Sequence, residues 1–190
     1  MGWSKMALAK TDDIEAIAFA VANDVAGLAA LQSEAEYYQC DRHGSTCLHW
    51  AAGQGALEAV RFLVEEMKMD PDINEAKKAG SNGRWQSPPT KSRSGMSGRS
   101  PLHFAARNGR MAVVRYLCEV AEADPDHQAS HAVTPFQLAV WQNHLDVARY
   151  LVEQQGVDCA QLNGFRCGAQ HWIGLAPKER AGPRGGSMSM

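Results

Sequence analysis

Apolar residues return at helical spacing in three stretches of this chain that share their lettering. They read Leu57-Glu58-Ala59-Val60-Arg61-Phe62-Leu63-Val64-Glu65, Met111-Ala112-Val113-Val114-Arg115-Tyr116-Leu117-Cys118-Glu119 and Leu145-Asp146-Val147-Ala148-Arg149-Tyr150-Leu151-Val152-Glu153. Apolar side chains at i, i+3, i+6 and i+7 predict helices that bury one face. A second phrase precedes each: Thr46-Cys47-Leu48-His49-Trp50-Ala51-Ala52, Ser100-Pro101-Leu102-His103-Phe104-Ala105-Ala106 and Thr134-Pro135-Phe136-Gln137-Leu138-Ala139-Val140. A decayed copy, Gly168-Ala169-Gln170-His171-Trp172-Ile173-Gly174, follows them. The phrases start at 46, 100, 134 and 168, so the spacings are 54, 34 and 34. The pattern therefore predicts helix pairs in a repeating array.

The phrase has a physical logic. Ser100 is placed to cap a first helical turn, and Pro101 occupies the position where a missing N–H costs nothing. Leu102 points inward, Ala105 and Ala106 keep the helix thin, and Asn108-Gly109 ends it in a left-handed turn. The second helices run into Asp70-Pro71-Asp72, Asp124-Pro125-Asp126 and Val157-Asp158-Cys159. Proline is expected to stop the helix there and aspartate to suit the turn. A calcium loop is excluded, because its glycine and glutamate spacing is absent. The aromatic column Phe62, Tyr116 and Tyr150 reads as packing between neighbours, with a binding stripe as the alternative. Residues 20–31 align with 52–63, which predicts a capping helix pair before the first full unit. Asp12 with Glu15 fits a capping box for it.

A T-P-L-H-x-A core repeated at a period near 33 residues resembles the ankyrin-repeat family. The resemblance covers residues 12–176 and implies an all-α solenoid of stacked helix-turn-helix units joined by hairpin-like finger loops. The corresponding organisation is a tail (1–11), a capping helix pair (12–40), repeats at 41–74, 98–131 and 132–165, a partial repeat (166–176) and a disordered tail (177–190). Ala132 and Arg166 stand where Gly44 and Gly98 stand in other units, so both are expected to carry strain if the position needs a positive φ. The fourth unit lacks its second helix; either this half-unit closes the array or the chain is cut within a longer one.

Composition narrows the function. The net charge of −2 gives no global attraction to nucleic acid or anionic membrane. Five cysteines, an odd number, with no secretory leader suit a reducing cytoplasmic or nuclear setting. The Ala-rich stretch 14–31 contains Glu15, Asn23 and Asp24, which argues against a membrane span. Met6 breaks a myristoylation motif. Neither a phosphate-binding loop nor a nucleophile elbow occurs. His49 and His103 recur at the helix start, where an imidazole can bond the capping hydroxyl and nearby backbone. His127, His131, Cys159, Cys167 and His171 lack the paired spacing of a zinc site. The expectation is no catalysis, no cofactor and no metal.

The 54-residue spacing implies about twenty extra residues within 74–98. This insertion (75–97) holds Lys77, Lys78, Arg84, Lys91 and Arg93 against one acid, Glu75, among Gly, Ser, Pro and Thr. Such a composition predicts disorder. It offers an alternative function, nucleic-acid or phosphoinositide binding through 77–99, although nucleic acid is not the expected partner. A truncated regulatory arm of a larger protein is a further alternative. Ser87 precedes Pro88 as a candidate phosphosite, and Asn74 matches the position at which the family resemblance implies asparagine hydroxylation.

The resemblance also implies a monomeric scaffold that grips an unidentified protein on its concave face. The positions it points to are Arg42, His43, Gln54, Arg99, Arg107, Asn108, His131, Trp141 and Gln142. Flanking positions are Ser45, Gly53, Met96, Ser97, Ser130, Val133, Gly164 and Phe165. Trp141 and Arg107 are the expected anchors, because aromatic and arginine side chains dominate interface energetics.

Overall fold

A computed structural model describes residues 14–75, 78–79, 84–85 and 98–168. Its helices are α1 (Glu15–Ala22), α2 (Val25–Ala29), α3 (Glu34–Tyr37), α4 (Cys47–Gln54), α5 (Leu57–Arg61), α6 (Pro101–Arg107), α7 (Met111–Glu119), α8 (Pro135–Trp141) and α9 (Leu145–Glu153). A wider turn, Phe62–Glu66, prolongs α5. The fold is all-α. Among the described residues the β pairing is a two-residue antiparallel ladder inside the insertion, with Lys78 opposite Trp85 and Ala79 opposite Arg84.

The first helices α1, α4, α6 and α8 pack side by side in one layer, and the second helices α2, α5, α7 and α9 follow in another. Alanine is what permits the first layer. Ala51, Ala52, Ala105, Ala106 and Ala139 are fully buried, so backbones approach with only a methyl group between them. Leu48, Leu63, Leu102, Leu117 and Leu151 fill the space between the layers. Each such side chain contributes about 2 kcal/mol by burial.

Left-handed residues punctuate every unit. Asn23, Gly55, Gly109 and Asn143 end the first helices, with φ of 57, 82, 67 and 64°. Lys68, Glu122 and Gly156 end the second helices at φ of 55, 55 and 69°. The prolines at 71 and 125 lie beyond these residues, so the left-handed position, not proline, terminates the helix. That corrects the reading of the acidic turns as helix stops. Asp70, Asp124 and Asp158 do shape those turns, each accepting the N–H two residues on at 3.0, 3.0 and 2.8 Å.

At the amino end α1 and α2 are followed by the one-turn helix α3. Ile14 stands at the start of α1 without a side-chain cap, and Asp12 lies outside the described residues. Asn23 ties this pair to the first full unit, its Oδ1 accepting the Ala59 N–H at 2.9 Å.

Candidate interaction surface

A buried polar column joins the units at the first turn of each first helix. His49 and His103 are completely buried. The Thr46 N–H donates to His49 Nδ1 at 3.2 Å, and His49 Nε2 lies 2.9 Å from the Arg99 carbonyl in the next unit. His103 repeats this with the Ser100 N–H at 3.2 Å and the Val133 carbonyl at 2.9 Å. Because Nε2 faces a carbonyl and Nδ1 an N–H, both rings are neutral with the proton on Nε2. Burial is the main force holding both pKa values down, to about 3 for His103. In the third unit Gln137 does the same work: its Oε1 faces the Thr134 N–H and its Nε2 donates to the Gln161 carbonyl at 2.9 Å. The histidines are structural, and they also bridge units, which their spacing did not reveal.

The finger loops are built on a repeated bond. Asp41 N–H donates to Ser45 O, Ala129 N–H to Val133 O and Asn163 N–H to Cys167 O, at 3.0, 2.9 and 3.0 Å. Glu75 N–H donates to Arg99 O at 3.0 Å in the same register. Between the closing residues the chain runs through 42–44, 130–132 and 164–166 in the other fingers and through 76–98 here. This finger is closed by Glu75, whose carboxylate accepts the Arg99 N–H at 3.1 Å and the Ser45 hydroxyl at 3.0 Å. A Cβ on Gly98 would sit 2.5 Å from the Glu75 carbonyl oxygen. Close approach, not a left-handed φ, is thus what Gly98 supplies, which corrects its grouping with Gly44. At Gly44, Ala132 and Arg166 φ is positive (90, 53 and 59°), so the expected strain is present in the two substituted fingers.

Of the positions the family resemblance points to, Arg42, His43, Arg99, Asn108, His131, Trp141 and Gln142 are exposed, while Gln54 and Arg107 are half-buried. Trp141 is 58% exposed and Phe165 62%. The His131 ring lies 4.8 Å from that of Phe165. Ser45 and Gly53, flanking positions in the sequence reading, are instead buried: one is held by Glu75, the other packs near Asn108 and Phe104. Met96, Ser97 and Ser87 lie outside the described residues. Asn74 is 4% exposed, with Oδ1 2.8 Å from His127 Nε2.

Sequence reasoning missed Asp41. Its Oδ1 accepts the His43 and Ser45 N–H groups at 2.7 and 2.9 Å, and its Oδ2 accepts the Trp50 indole N–H at 3.1 Å. Asn163 repeats the first part with Phe165 and Cys167 at 2.9 and 3.0 Å. The available signal was an Asp or Asn four residues before the finger closes.

On the opposite side the aromatic column packs between units. Tyr116 and Tyr150 are buried, and their hydroxyls donate to Glu65 and Glu119 of the preceding unit at 3.0 and 2.9 Å. Arg61 and Arg115 lie over the same rings, 6.0 and 5.5 Å from the centroids. The Arg–Glu pairs themselves, at 3.5, 3.5 and 3.9 Å, are exposed and worth a few tenths of a kcal/mol. Burial pushes the Cys47 and Cys118 thiols up to about 12, so neither is a ready nucleophile. Among the described residues no group of His, Cys, Asp and Glu is placed to hold a metal, and no helix is long and apolar enough to cross a membrane.

Family comparison agrees with this geometry. A model described as ankyrin repeats in three copies matches residues 79–163, and a single ankyrin-repeat model matches 43–77. The chain belongs to the ankyrin-repeat family. It is 26% identical over 118 residues to a protein of Saccharomyces cerevisiae named as a probable 26S proteasome regulatory subunit, p28, covering 60% of this chain and 41% of that one. It is 26% identical over 147 residues to ZDHHC13 of Danio rerio, named as a putative palmitoyltransferase, covering 73% of this chain and 19% of that one. It is 38% identical over 63 residues to alpha-latroinsectotoxin-Lt1a of Latrodectus tredecimguttatus, covering 33% of this chain and 4% of the toxin. The ankyrin array thus spans less than half the length of each of these relatives. Both matching family models describe interaction repeats, and neither describes an enzyme.

Proposed function

We propose that this chain is a non-catalytic scaffold whose concave wall grips a partner protein. The observation that carries the reading is the contrast on the first helices. Their polar groups at the first turn are fully engaged inside the stack, whereas Trp141 at the last turn of α8 is a large ring left 58% exposed. Tryptophan is among the residue types that dominate interface energetics. Ankyrin repeats are interaction modules, and the likeness to a protein named as a proteasome regulatory subunit supports a binding role. The wall residues are Arg42, His43, Gln54, Arg99, Arg107, Asn108, His131, Trp141 and Gln142. An odd number of cysteines favours a reducing setting, which supports the proposal of a monomeric scaffold of the cytoplasm or nucleus.

The test is a substitution pair. Trp141→Ala should weaken a captured partner by more than about 1 kcal/mol and leave unfolding nearly unchanged. Arg149→Ala, on α9, should leave affinity intact. Unchanged affinity with a collapsed unfolding transition for Trp141→Ala would reassign that ring to the core.

A further inference from the structure

Each second helix offers the same two groups to the unit that follows it. Arg61 and Glu65 receive Tyr116: the guanidinium lies 6.0 Å from the ring centroid, and the carboxylate accepts the hydroxyl at 3.0 Å. Arg115 and Glu119 receive Tyr150 in the same way, at 5.5 and 2.9 Å. Within this chain the hydroxyl goes with the pair. Helix α2, Val-Ala-Gly-Leu-Ala, carries neither Arg nor Glu, and the tyrosine position of the unit after it is Phe62.

Helix α9 carries the pair once more, as Arg149 and Glu153, 3.9 Å apart. Among the described residues no ring lies over this arginine and no hydroxyl reaches this carboxylate. The exposure of the two side chains rises from 50 and 43% in the first unit, through 59 and 49%, to 74 and 61% here. Leu145 follows the same course. Leu57 and Met111, its equivalents, are half-buried against the core, whereas Leu145 is 53% exposed. A unit that closes an array needs a polar outer face, and a bare leucine beside an unfilled Arg–Glu pair departs from that rule.

We propose that this end face of α9 docks an amphipathic helix of a partner protein, with a tyrosine seated on Arg149 and Glu153 and an apolar stripe covering Leu145. The contact continues an interface that the array already makes twice, α5 with α7 and α7 with α9. Tyrosine answers both halves of the pair, its ring meeting the guanidinium and its hydroxyl the carboxylate. Helices are read in this way through anchors on one face. The occupant comes from another protein, because this chain has no tyrosine to give. Residues 169–190 contain none. Tyr37, Tyr116 and Tyr150 are buried and Tyr38 is half-buried, so a second copy offers no exposed one. Helix α9 belongs to the second layer, so this partner is distinct from the one on the concave wall.

The test is an NMR titration of the full chain with hydrocarbon-stapled peptides of about 16 residues, long enough to hold a helix. Their apolar stripe copies the spacing of Val147, Tyr150 and Leu151, with Tyr or Phe at the central position. The Tyr helix should shift the amides of 145–153 and bind about fivefold tighter than the Phe helix. Glu153→Ala should erase that preference. Leu145→Asp should remove binding of both helices with thermal unfolding unchanged, and Trp141→Ala should change nothing. Equal affinity of the two helices, shifts gathered at Trp141, or no binding overturns the proposal. So does a loss of stability in Leu145→Asp, which would show the chain's own residues covering the face. Self-association of the free chain that Leu145→Asp abolishes would assign the face to a second copy and overturn it too. None of these outcomes touches the Trp141→Ala test of the concave wall.

Discussion

Helices α6 and α8 each begin with a buried polar residue and end with a surface one: His103 then Arg107, Gln137 then Trp141. The two ends behave differently because their neighbours differ. At the first turn, a finger carbonyl of the next unit waits for a donor, so His103 and Gln137, unlike in chemistry, make the same bond. At the last turn the position runs from the buried Gly53 to the half-buried Arg107 to the exposed Trp141 across the units. One end of the helix is held to a single bonding pattern by the array, and the other changes residue type from unit to unit.

The largest effect should come from breaking the first-turn bond outright. His103→Ala leaves the Val133 carbonyl and the Ser100 N–H without their partner and opens a cavity, at a cost of about 3 kcal/mol by urea unfolding. A loss no larger than that of a surface substitution would show that the column is not a principal tie between units.

Acid should act on the same bond in graded form. His49 and His103 are held neutral in the fold, with pKa values below the ordinary 6.5, so protons bind the unfolded chain preferentially. The His103 contribution is full above about pH 6.5 and is lost as pH falls toward about 3, and that of His49 is lost in the same direction. Each contributes a slope of up to about 1.4 kcal/mol per pH unit there. His103→Gln, copying the third unit, should keep the bond and flatten the slope. An unchanged slope in that variant would contradict the assignment.

Smaller effects test the fingers and the outer layer. Ala132→Gly should raise stability by about 1 kcal/mol or less, because it relieves a left-handed alanine while loosening the unfolded chain. Tyr150→Phe should cost about 1 kcal/mol or less by removing the hydroxyl bond to Glu119. If thermal unfolding shows the second change exceeding the loss from His103→Ala, the outer layer, not the column, dominates the stacking.

Much of this was legible in the letters. The phrase Ser100–Ala106 marked the first helices, because each residue type there answers one local demand: cap, missing N–H, inward leucine, thin alanine. The alanine column and the aromatic column were readable from repetition alone. The inter-unit bonds were not, since a histidine at a helix start does not announce a carbonyl 30 or 50 residues away. Gly98 was misgrouped because the 20-odd extra residues change what its position requires, from a left-handed turn to close contact with Glu75. Lys68 and Glu122 escaped notice because neither residue type signals a left-handed stop, and the nearby prolines drew the inference instead. The candidate partner-binding residues were reached through the family's geometry, not through any signal in the residues themselves.

The most direct test of the division between the two helix ends is an amide and indole NMR titration of the full chain with a partner protein captured from its own cell. The account predicts shifts clustered on Arg99, Arg107, Asn108, the Trp141 indole, Gln142 and Phe165, with the α7 and α9 amides unmoved. Shifts clustered instead on Arg115, Arg149 and their neighbours would contradict it.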